Sequence, residues 1–141
     1  MTRPIKIRKV DSLIVKSLCD QTLTDEGDLS VWLKHGHYWG AFDTDKNLLA
    51  FGGLVRSVRF YDTVYLHAAG VAESARGHRL QRRLIRVRLR WAKANGYRWA
   101  ITDTVPYNPA SACSLIACGF KPYWPKKQWK LEGACYWRRK L

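Results

Sequence analysis

A chain of 141 residues has room for one domain with a two-layer core. Its 47% hydrophobic content, with seven Trp and seven Tyr, excludes disorder, and no run approaches the roughly 18 apolar residues of a membrane span. The formal charge of +14 points to anionic partners: nucleic acid, a phosphorylated cofactor or an acidic protein face. No apolar segment follows the basic opening MTRPIKIRKV, so no secretory leader is read. Cys19, Cys113, Cys118 and Cys135 make no C-x-x-C pair, and the expectation is a cytosolic protein with reduced, mostly buried thiols.

Ile5 and Ile7 alternate with Lys6 and Arg8, the pattern of an opening strand with one buried face. Asp11 or Ser12 then caps a short helix carrying Leu13, Ile14, Val15 and Leu18, with Leu23 at its far end. Residues 24–28 (TDEGD) read as an acidic loop and residues 29–36 (LSVWLKHG) as a short helix. Within and after them, His35 and His37 form an H-x-H without a second Cys/His cluster. A packing or loop role is expected there, and no metal. Residues 38–42 and 48–58 read as the arms of a hairpin around DTDKN. Gly52 and Gly53 predict a bulge or a close backbone approach in the second arm.

After a second turn, RFYDT, residues 64–71 form a strand that feeds the stretch VAESARGHRLQRRLIRVRLRWAKA. Leu80, Leu84, Val87, Trp91 and Ala94 recur at the spacing of one buried helical face. That spacing leaves Arg82, Arg83, Arg86, Arg90 and Lys93 solvated. Asn95 and Gly96 end the helix, and residues 97–104 read as a buried strand. Asn108 or Ser111 caps a helix over residues 110–118, where Cys113 and Cys118 read as packing residues, and Gly119 stops it. FKPYW opens a strand, WPKKQWKLEGA is a basic aromatic loop, and CYWRRKL closes the chain as a strand. The class is α+β, with a parallel crossover from residues 64–71 through the long helix to residues 97–104.

A strand, a basic glycine-containing turn and a helix together suit a phosphate group. The first N–H groups of a helix lack intrahelical partners and carry partial positive charge. Arg76, His78 and Arg79 sit where side chains would add donors; the alternative is a solvated loop before an amphipathic surface helix.

VAESARGHRLQRRLI, together with Asn108-Pro109-Ala110-Ser111 and Cys118-Gly119-Phe120, resembles the two signature segments of the GNAT superfamily of N-acetyltransferases. The match covers residues 38–123, and the chain is similar in flavour to small phage- or prophage-type members, on its ending at residues 136–140. The resemblance implies one GNAT-like domain over residues 1–141, a mixed central sheet with a strand–loop–helix acyl-CoA cradle. It implies transfer of an acetyl group from acetyl-CoA to an amine on a protein, a small molecule or a nucleic acid. Pantetheine would lie between the splayed strands, paired near Ala69 and Val71. The pyrophosphate would rest on the N–H groups of Gly77, His78, Arg79, Leu80 and Gln81 beside Arg76. Asn108, with Ser111 close by, would bond the pantetheine arm. The base would be His67 or Asp103, directly or through water; the alternatives are a wall histidine and a structural acceptor.

Two positions depart from the family pattern. Arg79 and Gln81 stand where Gly, and Gly or Ala, are usual; because Gln81 lacks glycine's freedom too, Arg79 is expected in ordinary helical dihedrals. Leu115 stands where many members have a tyrosine acid, which leaves Tyr107, Tyr123 or no dedicated acid. The loop bearing Trp124, Lys126, Lys127, Trp129 and Lys130 suits an acidic protein or nucleic acid on the acceptor side, or is a solvated loop anchored by buried Trp. A reading of another class is a binding module that has lost its chemistry and acts through its basic surface on nucleic acid or a protein. A monomer or homodimer in the cytoplasm, that of the host if phage-encoded, completes the expectation.

Overall fold

A computed structural model describes residues 4–22, 34–130 and 132–141. The acidic stretch 24–28 and Leu23 lie outside them, as does most of the helix expected over 29–36, of which Lys34 and His35 are helical. The described elements run β1 (Lys6–Val10), α1 (Ser12–Thr22), β2 (His37–Phe42), β3 (Leu48–Arg56) and β4 (Thr63–Val71). They continue as α2 (Leu80–Ala94), β5 (Trp99–Thr104), α3 (Pro109–Ala117), β6 (Lys121–Tyr123) and β7 (Cys135–Lys140). This is an α+β fold around one seven-stranded sheet of order β1-β2-β3-β4-β5-β7-β6. Only β4 and β5 run parallel within it, and the last strand inserts between β5 and β6.

The two faces of the sheet are covered differently. Val64 and Leu66 of β4 pack with Leu80, Leu84, Ile85 and Leu89 of α2 and with Leu115 and Phe120 around α3. On the other face, Val15, Leu18 and Cys19 of α1 pack on Tyr38 and Phe51. Leu13 and Ile14, expected in that helix's apolar face, are instead exposed, and so is half the thiol set: Cys113 and Cys135 face solvent while Cys19 and Cys118 are buried. Asp11 is the side chain at the start of α1, accepting from Leu13 N at 3.1 Å. His37 takes a packing role, its ring 4.4 Å from that of Trp91.

The buried face of α2 is rotated from the one the apolar spacing predicts. It consists of Leu80, Leu84, Ile85, Arg88, Leu89 and Ala92, whereas Val87 and Trp91 are half-buried and Ala94 is exposed. Ile85, Leu89 and Ala92 complete that face, and with them lies Arg88, an arginine 2% exposed that a hydrophobicity pattern counts as a surface residue. The glycine signal in β3 holds as a close approach, while the bulge beside it lies on the neighbouring strand. A built Cβ on Gly53 would stand 2.5 Å from the Tyr38 ring. The register slips between Gly52 and Gly53, which face Ala69 and His67. The unpaired residue is Ala68 on the neighbouring strand, at φ 50.

Candidate functional site

The pairing of β4 with β5 covers Thr63↔Trp99, Val64↔Ala100 and Tyr65↔Ile101 and then stops. A last link, Thr102 Oγ1 donating to Leu66 O at 2.7 Å, closes the joined part. Beyond it β4 runs on to Val71 and β5 to Thr104 without meeting. Two strands that part leave a gap only side chains or a ligand can fill, and here it opens into a cleft of about 1760 Å³. His67, Ala69, Gln81, Asp103, Asn108 and Ser111, all expected at the site, line it.

The turn before α2 adjoins the cleft through Gln81, while Arg76, Gly77, His78, Arg79 and Leu80 are not part of its lining. Ala72 N still bonds Leu49 O, Glu73–Ala75 forms a single 3₁₀ turn, and Gly77 follows at φ 87. A Cβ built on Gly77 meets nothing within 4 Å, so its glycine is required by the left-handed backbone rather than by a neighbouring atom. Arg76, Gly77, His78 and Arg79 are exposed. No side chain caps α2 and its first turn holds no acid, so nothing on the helix itself competes with an anion for its leading N–H groups. Leu80 contributes a backbone N–H at most, because its side chain is core, and Val71 likewise pairs with Ala50 and packs inward.

Arg79 overturns an expectation. It sits at φ 56, ψ 29, in the left-handed region, and not in ordinary helical dihedrals. The chain leaves Gly77 left-handed and reaches the helix through a second such residue, so the freedom of Gln81 is beside the point. The family's glycine at this position therefore answers to φ. For an arginine the strain is about 1 kcal/mol. Arg79→Gly should then hold or slightly raise thermal stability, where a helical site would lose up to about 1 kcal/mol. Cofactor affinity should still fall by about tenfold or less, through loss of the guanidinium. Thermal melts and acetyl-CoA titrations of both proteins check this; a clear drop in melting temperature would contradict the left-handed assignment.

At the α3 end, Asn108 is the cap: its Oδ1 accepts from Ser111 N at 3.2 Å, and Pro109 opens the helix. Its amide nitrogen has no partner among the described residues. Leu115, in place of the family's tyrosine, is buried. Of the two replacements considered, Tyr107 is 83% exposed, while Tyr123 is half-buried and its phenol is pushed above its usual range by burial.

The middle of the cleft carries His67 and Asp103. His67 Nε2 lies 3.2 Å from the Tyr38 hydroxyl, and its ring stacks with Tyr65 at 6.2 Å. Burial, then the charges of Arg88 and Lys130, hold its pKa down at about 4. It is therefore a neutral imidazole at pH 7, able to accept a proton only briefly. Asp103 Oδ2 accepts from the Tyr65 hydroxyl and from Trp129 Nε1 at 2.8 Å, and Oδ1 lies 3.9 Å from Lys130 Nζ. These bonds tie the β6–β7 loop to the sheet, which matches the structural-acceptor alternative. Trp129 is thus the anchored tryptophan of that loop, and Trp124 is 73% exposed. Three contributors escaped the sequence reading: Tyr65, the bulge at Ala68, and Arg88, which lines the cleft on a stripe with Gln81 and Ile85. Gly52, small enough to admit a guanidinium beside it, was the available hint for Arg88.

Among the described residues no group of three or more His, Cys, Asp or Glu is arranged to hold a metal ion, and no helix is long and apolar enough to cross a membrane. No curated protein matches the sequence. Solved structures do. An IAA acetyltransferase from Bacillus cereus superposes with a TM-score of 0.82 over 98% of this chain and 100% of its own, at 16% identity. An acetyltransferase from Bacillus subtilis in complex with CoA gives 0.78 over 99% of each chain, at 15% identity. The spermidine/spermine N-acetyltransferase SpeG from Vibrio cholerae gives 0.72 over 97% and 95%, at 11% identity. These likenesses establish the fold. The model of the acetyltransferase (GNAT) family matches residues 9–120, and the chain belongs to that family.

Proposed function

We propose that this protein, as one domain over residues 1–141, transfers an acetyl group from acetyl-CoA to an amine. The carrying observation is the cleft that runs from Gln81, in the first turn of the uncapped α2, to the wall of His67 and Asp103. The leading N–H groups of Gly77 to Gln81, with Arg76 and Arg79, hold the pyrophosphate. Asn108 and Ser111 bond the pantetheine arm, and the edge of β4 at Ala69 aligns it. Val71 acts through its backbone alone.

The amine nitrogen attacks the thioester carbonyl; the C–N bond forms, the C–S bond breaks, and CoA leaves as thiolate. The amide of Ala68, the residue that the bulge leaves unmatched, stabilises the oxyanion. The acceptor must arrive as a neutral amine. Arg88 and Lys130, the charges that depress His67, act in the same sense on a substrate ammonium. His67 then takes the proton as the intermediate forms and relays it to solvent or to the departing thiolate; Asp103 holds the wall. Such chemistry suits the cytoplasm, where acetyl-CoA is at hand. Incubation with isotopically labelled acetyl-CoA and mixed polyamines, amino acids and peptides tests it by mass spectrometry. Transfer of one labelled acetyl group supports the reading, and CoA binding with no transfer to any amine supports the binding-module alternative.

A second observation favours an anionic partner. Exposed Val58, Phe60 and Trp124 stand among Arg56, Arg59, Lys126 and Lys127 at the cleft mouth, and Arg59 Nη1 donates to Lys127 O at 3.0 Å. Aromatic faces among cations suit a single-stranded nucleic acid. Mobility shifts with an oligonucleotide should appear at low salt and collapse between about 50 and 200 mM. No shift at low salt removes nucleic acid as partner.

A further inference from the structure

Among the described residues Arg88 is the only fully buried charged side chain, and the chemistry above uses it only as a field. Its Nε donates to Leu84 O at 3.0 Å and its Nη1 to Gly53 O at 2.8 Å, beside the bulge. Gly52 admits it: a Cβ there would stand 2.7 Å from Cζ and 2.9 Å from Nη2. A guanidinium has five N–H groups. The two bonds leave the outer edge, Nη2 and the second hydrogen of Nη1, without a partner among the described residues. No side-chain nitrogen or oxygen among them is both sealed and unbonded. Nη2 is therefore not fully sealed, and Arg88 is one of the residues that line the cleft. No carboxylate forms an ion pair with it among the described residues. A charge taken out of water without a counter-ion is costly. Burial lowers its pKa to about 9, which leaves it charged at pH 7.

We propose that the outer edge of Arg88 receives a carboxylate of the substrate, which makes the protein an acyltransferase for acidic substrates. This rests on the acyltransferase reading and deepens it. Two adjacent N–H groups match the two oxygens of a carboxylate, a fit a lysine cannot give. The carboxylate comes from a dicarboxylic acyl group on CoA or from an amino-acid acceptor. The bonds exchanged are the same in both cases.

Two arms separate the sources. Dissociation constants are measured for CoA, propionyl-CoA and succinyl-CoA, and kcat/KM for amino acids against their amides, in wild type, Arg88→Lys and Arg88→Gln. A preference of about tenfold or more for succinyl- over propionyl-CoA, reduced in both variants, assigns the carboxylate to the donor. The same preference for amino acids over amides, likewise reduced, assigns it to the acceptor. Should Arg88→Gln fail to fold, the wild-type preferences and Arg88→Lys carry the test. A wild type that binds CoA but shows neither preference overturns this inference and leaves the proposed function standing, and so does a preference unchanged in the variants. A wild type that binds no CoA overturns the proposed function itself.

Discussion

Acetyl-CoA at a hundredfold excess over its dissociation constant should add about 2.7 kcal/mol to the unfolding free energy, and at the same concentration Gly77→Val should remove about half of that gain or more. The reason lies in two properties of one residue. At φ 87 a β-branched side chain is strained whatever the space around it, so the turn must change shape to accept Val. The space beside Gly77 is also open in the folded chain, where the diphosphate is proposed to lie. A valine would occupy it. We expect affinity to fall by at least tenfold, read by calorimetry. Gly77→Ala, which meets nothing but shares the strain, should fall less. Equal affinities for wild type and Gly77→Val would show that the pyrophosphate is not held by this turn.

How much of this was legible in the residues depends on how local the cause is. The limits of α2 follow from an amphipathic repeat and the stop at Asn95 and Gly96, both written within a few residues. The inward turn of Arg88 does not, because it needs the room that Gly52, on a strand of the sheet, leaves beside it. The glycine pair announced a bulge, yet the residue bulged out is Ala68, opposite them in the sheet and unmarked by any glycine of its own. Arg79 fails for a related reason. Its dihedral is set by the 3₁₀ turn and Gly77 before it, while the expectation was drawn from Gln81 after it. For Asp103 the deciding partners, Tyr65 and Trp129, lie 38 and 26 residues away in sequence. No window-based pattern reaches that far. Asn108, whose cap partner is Ser111, was readable because the whole device spans one helical turn.

Acidification should destabilise the wild type more than His67→Gln, by roughly 2 to 3 kcal/mol between pH 7 and pH 4.5. His67 has its pKa lowered from 6.5 to about 4 in the folded protein, by burial first and then by Arg88 and Lys130. The unfolded chain therefore binds a proton on this side chain below pH 6.5, while the folded chain refuses it until about pH 4. The stability tied to neutral His67 is complete above pH 6.5 and is lost as the pH falls through that window. Glutamine keeps a polar group opposite the Tyr38 hydroxyl and never charges, so the variant drops this one dependence and keeps those of the carboxylates. Urea unfolding of both proteins at the two pH values measures the difference. Equal acid sensitivity would mean that His67 titrates alike in both states, and the neutral relay assigned to it would go. If the difference appears, the pH–rate profile should show no inflection near 6.5 from His67. Its alkaline-side rise then belongs to the acceptor, whose ammonium must lose a proton in the field of Arg88 and Lys130 before it can attack.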